Sequence, residues 1–235
     1  MNLAYEEIVP AAVGRYCCWH IYNNFKLKFP GLMLRRYFWQ AAKSFDSVGH
    51  NEAMDSIKDL NIEAWKYLMK IPKFAWARHA FSTAIKCDHV TNNFTESFNA
   101  CVDNLRGKSI LTLVEGLRRK MMNKLHKRYQ KATTWTAAVT PKVVKKLKEI
   151  GNASRKCELM MASEYVFEVG DVDRTYIVKL EEKECDCGVF QLTGLPCKHA
   201  ALGIIYRRES LVKYCDQAFS LEMYLKCYSS MIHPI

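Results

Sequence analysis

Four residues in the C-terminal third have the types and spacing of a metal site: Cys185-x-Cys187 and, after nine intervening residues, Cys197-x-His199. Three thiolates and one imidazole fill every position of a tetrahedral zinc ion and leave none open, so the pattern predicts a structural zinc site rather than a catalytic one. Gly188 and Gly194 lie in the connecting loop and allow two tight pairs to close around one ion. A second, smaller grouping is Cys17-x-x-His20, one helical turn apart. A lone pair cannot complete a metal shell, and packing beside Trp19 and Tyr22 is the plain alternative. Glu96 is a candidate carboxylate, and Arg118, Arg119, Lys120, Lys124, Lys127 and Arg128 are candidates for phosphate contacts.

Positioning the four metal donors constrains the local fold. An i, i+2 pair points one way only in extended chain, whereas residues two apart on a helix diverge by about 200°. Cys197 and His199 must therefore lie where a helix begins, and Pro196 occupies what reads as its first position. Upstream, Tyr165–Val169 and Thr175–Leu180 are β-branched and aromatic runs around a Gly170–Asp173 turn, which predicts a hairpin and a β-β-α block.

The rest reads as helical. Apolar residues recur at helical spacing over 11–29, 32–43 and 50–70, with Pro30-Gly31 and Pro72 as breaks. Asn92 or Asn93 should cap a helix with Phe94, Phe98, Cys101, Val102 and Leu105 inward and Glu96 on the opposite, polar side. Ser109 should cap a long helix with Ile110, Val114, Leu117, Met121 and Leu125 on one face, and Pro141 should open another. The fold class is thus α+β, mainly helical at first and ending in a small β-β-α finger.

Charge is concentrated rather than spread. The 235-residue chain carries +11, yet residues 106–156 hold fifteen Lys/Arg against Glu115 and Glu149, a local +13, which leaves −2 elsewhere. Such a block predicts a localised polyanion-binding surface. No apolar run is long enough to span a bilayer, and the basic helices lack flanking aromatic anchors, so no membrane partner is expected. The first twenty residues carry Glu6 and Glu7 and no apolar core, which predicts no signal peptide. Ten cysteines in that setting read as intracellular thiols or ligands rather than disulfides.

The order Cys-x-Cys…Cys-x-His, within Cys185-Asp186-Cys187-Gly188 and Gly194-Leu195-Pro196-Cys197-Lys198-His199-Ala200, resembles the SWIM zinc finger. Arg15 to Phe25, around Cys17 and His20, resembles the Cys-x-x-His element of Mutator-like transposases, and Thr91 to Asn99 resembles the segment bearing the last carboxylate of their D-D-E triad. In that order, over nearly the whole chain, the motifs resemble the C-terminal portion of a plant Mutator-like transposase. The resemblance implies that residues 1–105 are a helical remnant of a ribonuclease-H-like core with its helical insertion. It implies a basic helical linker over 106–156, a SWIM finger over 157–210 and a C-terminal tail over 211–235. Glu96 would be the inherited triad position. The two aspartates of that triad have no counterpart here, since the first aspartate, Asp46, already follows Cys17.

The expected function is therefore that of a zinc-binding, nucleic-acid-associated nuclear protein, transposase-derived and not an enzyme, with zinc as cofactor, DNA as partner and no small-molecule substrate. Two alternatives stand beside it: a protein-docking remnant acting through the finger, and a fragment of an active transposase whose upstream aspartates are missing from this chain.

Overall fold

Capping side chains and apolar periodicity cut the chain into eleven described helices and one small sheet. The computed structural model describes residues 14–172, 174–230 and 232. The helices are α1 (Cys18–Lys28), α2 (Leu32–Lys43), α3 (Ser47–Leu60), α4 (Ile62–Met69), α5 (Lys73–Trp76), α6 (Asn93–Val102), α7 (Ile110–Thr133) and α8 (Pro141–Ser154). Strands β1 (Glu158–Met161), β2 (Val166–Asp171), β3 (Arg174–Lys179) and β4 (Glu184–Cys185) follow, then α9 (Val189–Thr193), α10 (Lys198–Tyr206) and α11 (Leu221–Ser229). Ala11–Val13 of the first expected helix, Glu6, Glu7 and Asp173 lie outside the described residues.

The chain divides into two compact units, one built from residues up to Asn92 together with Asp186–Thr193, the other from the remainder. The 186–193 piece of the finger's loop belongs with the first unit.

In the first unit, α1 buries Cys18, Ile21, Tyr22 and Phe25 at i, i+3, i+4 and i+7. They meet Leu34 and Phe38 of α2, Ile57 of α3, Leu68 of α4 and Trp76 of α5. Leu192, from the 186–193 segment, completes this core. The helix expected over 50–70 is two helices. Asp46 caps the first, accepting from Gly49 N at 2.7 Å. Asn61 starts the second, accepting from Glu63 N and Ala64 N at 3.0 Å. A cap that satisfies two otherwise orphaned N–H groups outweighs the continuous apolar period.

In the second unit, the sheet is antiparallel in the order β1-β2-β3-β4. The hairpin is tighter than the sequence implied. Pairing continues through Gly170–Thr175 and Asp171–Arg174, so the paired strands extend into the stretch expected as the turn. Strands β1 and β4 were not expected; Glu-Leu-Met-Met has no alternation, and its pairing to β2 rather than its own propensity makes it a strand. Inward side chains of the sheet, Phe167, Val169 and Val178, are fully buried, as are Ala200, Ala201 and Ile204 of α10, which packs on β2 and β3. Close approach is possible because Gly203 faces Phe167, where a Cβ would lie 2.9 Å from the ring.

The expected inward face of α6 is corrected. No residue of α6 is buried; Phe94 and Phe98 are 67% and 50% exposed. Ser109 caps α7 as expected, but Ile110, Val114 and Met121 are exposed and only Ala132 is fully buried. An apolar stripe shows that a helix has a face, not that an element covers it. What α7 does meet is α11, through an Arg128–Tyr228 hydrogen bond, and just past its end the Trp135 and Tyr224 rings meet at 5.0 Å. Residues 211–219 are likewise no loose tail, since Leu211, Val212, Cys215 and Phe219 pack on Val143 and Leu147 of α8.

Candidate metal centre and basic surface

Each expected zinc ligand sits where local structure dictates. Cys185 ends β4, opposite Val178. Cys187 follows two residues on, and the chain then turns through Gly188, whose φ of +74° suits glycine alone at little cost. Cys197 is the cap of α10, its Sγ accepting from Ala200 N at 3.3 Å, so the helix begins at Lys198, two residues later than Pro196. His199 is the second residue of that helix. The unpaired N–H groups and the positive end of the helix both favour a thiolate at Cys197.

These elements bring all four donors together. Cys185, Cys187, Cys197 and His199 are all buried, with ligand atoms within 4.8 Å of one another. The His199 Nδ1 lies 3.6 Å from Cys185 Sγ and 4.0 Å from Cys197 Sγ. Tetrahedral zinc with bonds of about 2.3 Å to sulfur and 2.0 Å to nitrogen separates such atoms by roughly 3.6 Å. The residues fit the ion in donor type, number and spacing, and would supply folding energy rather than an open catalytic position.

A second group shares the same imidazole: Cys157, Asp171 and His199. It uses the other ring nitrogen, His199 Nε2, which lies 3.1 Å from Asp171 Oδ2. Lys198 Nζ stands 2.5 Å from that oxygen. An ammonium so placed opposes a cation, so this group suits support of the first site better than a metal of its own. The Lys198 ammonium, and after it the His199 ring, hold the Asp171 carboxyl below its ordinary value. Burial, then the Asp171 charge, push the Cys157 thiol up. Asp171, Lys198, Cys157 and Tyr176 were not singled out from the sequence. The one signal was phase: Phe167, Val169 and Asp171 alternate along β2 on its inward side.

The basic candidates fare unequally. Arg118 donates through Nε and Nη2 to both oxygens of Glu115 at 2.7 Å, and Arg119 Nε donates to the same carboxylate at 2.7 Å. These arginines, Arg118 first, hold the Glu115 carboxyl down at about 2, so it is ionised at neutral pH. Lys120 Nζ donates to Cys101 O and Asn104 Oδ1. Arg128 is engaged by Tyr228. Lys124 and Lys127 are exposed, as are Lys131 and, on α8, Lys142, Lys145, Lys146 and Lys148. Lys120, Lys124, Lys127 and Lys131 recur at i, i+4, i+7 and i+11, a single helix face.

Glu96 is exposed on α6 and joins neither donor group. Cys17 precedes α1, half-buried, its sulfur accepting from Asn92 N at 3.3 Å, while His20 is exposed. The buried thiol is instead Cys18, which donates to Trp76 O and is pushed up to about 12 by burial.

Against known families, residues 173–202 match the SWIM zinc finger, a stretch containing all four donors. No match is found among curated proteins or among solved structures. The chain therefore carries a SWIM zinc finger, and its donor set supports zinc binding. Among the described residues no helix is long and apolar enough to cross a membrane.

Proposed function

We propose that this chain is a nucleic-acid-associated nuclear protein, derived from a Mutator-like transposase and without catalytic activity, in which zinc holds the finger folded. The observation that carries the reading is the exposed lysine face of α7, together with the exposed lysines of α8, within a segment of local charge +13. The exposed lysines of α7, Lys124, Lys127 and Lys131, span seven residues, about 10 Å along the helix, and duplex DNA offers one phosphate charge per roughly 1.7 Å of axis. On α8, Val143 and Leu147 turn inward while Lys142, Lys145 and Lys146 stay in solvent, so the charge is free of the packing. Arg118-Arg119-Lys120 and Lys127-Arg128 also have the composition of nuclear import signals. Catalytic silence is supported by the setting of Glu96, which joins neither donor cluster among the described residues, whereas strand transfer of this class needs carboxylates that together hold two divalent ions.

Protein docking is the second reading, favoured by an apolar groove of about 580 Å³ walled by Val144, Leu147, Leu202, Ile205, Leu211 and Val212. The deciding experiment is a salt titration of DNA binding by the full chain. Lys124, Lys127 and Lys131 changed together to Gln should flatten the slope of log affinity against log salt by about 0.9 per lost contact. An unchanged slope would hand the function to the groove.

A further inference from the structure

The alternation of β2 puts a carboxylate where its neighbours are core. Phe167 and Val169 are fully buried, and Asp171, next on the same side, keeps only 12% of its side chain exposed. The ladder fixes it there, because Asp171 is still paired with Arg174. Across from it begins α10, which presents the His199 ring edge-on. One nitrogen of that ring faces sulfur and the other faces Asp171 at 3.1 Å. The Tyr176 ring covers the imidazole, with centroids 4.2 Å apart and planes 15° from parallel. A ring held by a carboxylate at one nitrogen and by stacking on its face has a single orientation available.

We infer that Asp171 is a positioning residue of the zinc site: it holds the proton on His199 Nε2, leaves the Nδ1 lone pair for the metal, and makes the imidazole a stronger donor. The inference rests on the zinc-binding reading of the finger. A metal-bound histidine commonly gives its second N–H to a carboxylate, which fixes tautomer and ring orientation. The surrounding charge is consistent with it. Three thiolates, a neutral imidazole and Zn²⁺ sum to −1, so another anion nearby is repelled unless it is balanced. Lys198, at 2.5 Å, supplies that balance. Asp171 lies just outside the matched family stretch, whereas Tyr176 and Lys198 lie within it.

A simple ion pair between Lys198 and Asp171 would also explain the contact, and the two accounts part on metal affinity. In the full chain, zinc affinity is measured by competition with a chelator. Asp171→Ala should weaken zinc binding by about 10–100-fold. Asp171→Asn, whose amide oxygen still accepts from Nε2–H, should fall between it and the wild type. Lys198→Met removes the ion pair but not the Asp171–His199 bond, and should weaken zinc less than Asp171→Ala. With cobalt substituted for zinc, the visible d–d bands of Asp171→Ala should shift, a change that loss of a distant ion pair would not cause. Nitrogen NMR of the wild type, which needs no variant to fold, should show His199 bound through Nδ1 and protonated at Nε2. Metal attachment through Nε2 would overturn the inference, as would Asp171→Ala binding zinc within twofold of wild type with unaltered cobalt bands. A wild-type chain that takes up no zinc would instead overturn the zinc site itself, so the two failures are distinguishable.

Discussion

Gly188 offers a direct test of how the loop between the two ligand pairs is held. Its φ is +74°, and a Cβ built there would collide with the carbonyl oxygen of Phe45, a backbone atom that cannot rotate aside. The loop it opens carries Leu192, 3% exposed in the helical core, and Gln191, whose carbonyl accepts from Lys86 Nζ at 2.9 Å. In Gly188→Ala the left-handed conformation alone costs about 1 kcal/mol. If the loop lifts to relieve the collision, Leu192 leaves its site at a cost of about 2 kcal/mol or more. The expected loss is about 3 kcal/mol. Urea unfolding followed by tryptophan fluorescence measures it well, because four of the five tryptophans (Trp19, Trp39, Trp65 and Trp76) lie in this unit. Leu192→Ala is the companion variant, destabilising by about 2–3 kcal/mol without backbone strain. Combined with Gly188→Ala it should add little, since a lifted loop has already surrendered that contact. A Gly188→Ala protein within about 0.5 kcal/mol of wild type would show that the loop is not seated on Phe45.

Other expectations concern the metal, the charge and the chemistry. Cys197→Ser keeps an oxygen able to cap α10 but removes a thiolate, so loss of stoichiometric zinc by elemental analysis, with collapse of the 158–206 circular dichroism signal, isolates the metal from the cap; retained zinc would refute the ligand assignment. Glu115→Gln releases Arg118 and Arg119 from their shared carboxylate, so DNA affinity should rise and its salt slope steepen by about one; a slope equal to wild type would mean these arginines never reach phosphate. With magnesium or manganese, wild type and Glu96→Gln should alike leave DNA ends uncut and unjoined, and cleavage that vanishes in the variant would restore the transposase reading.

The four-donor cluster was legible because its chemistry is carried by spacing: two i, i+2 pairs of soft donors have few other uses, and the start of α10 had to fall within the second pair. Asp171 was not, because Gly-Asp-Val-Asp composes a turn as readily as a strand end. Only the ladder pairs Gly170–Thr175 and Asp171–Arg174 keep it in the strand, and those depend on β3 rather than on local sequence. The same holds for the divided helix over 50–70. Asn61 competes with an unbroken apolar period, and its two N–H contacts decide the matter only in three dimensions. For α6, the stripe Phe94 and Phe98 was read correctly as a face and wrongly as a covered one.

Charge shows the same gap between a count and an arrangement. The sequence yields +13 over 106–156, which weights every basic residue equally. In the fold, Glu115, already subtracted in that sum, engages two of the arginines, Arg118 and Arg119. Lys120 is turned back onto the end of α6, and Arg128 is held by Tyr228. On α7 the exposed charge is then a row of lysines one turn apart, each a mobile point charge on a flexible stem rather than a fixed guanidinium fork. Such a row follows a phosphate backbone without reading base edges, since nothing in it presents the planar paired donors that discriminate guanine. Whatever sequence preference the protein has must therefore come from outside this lysine row.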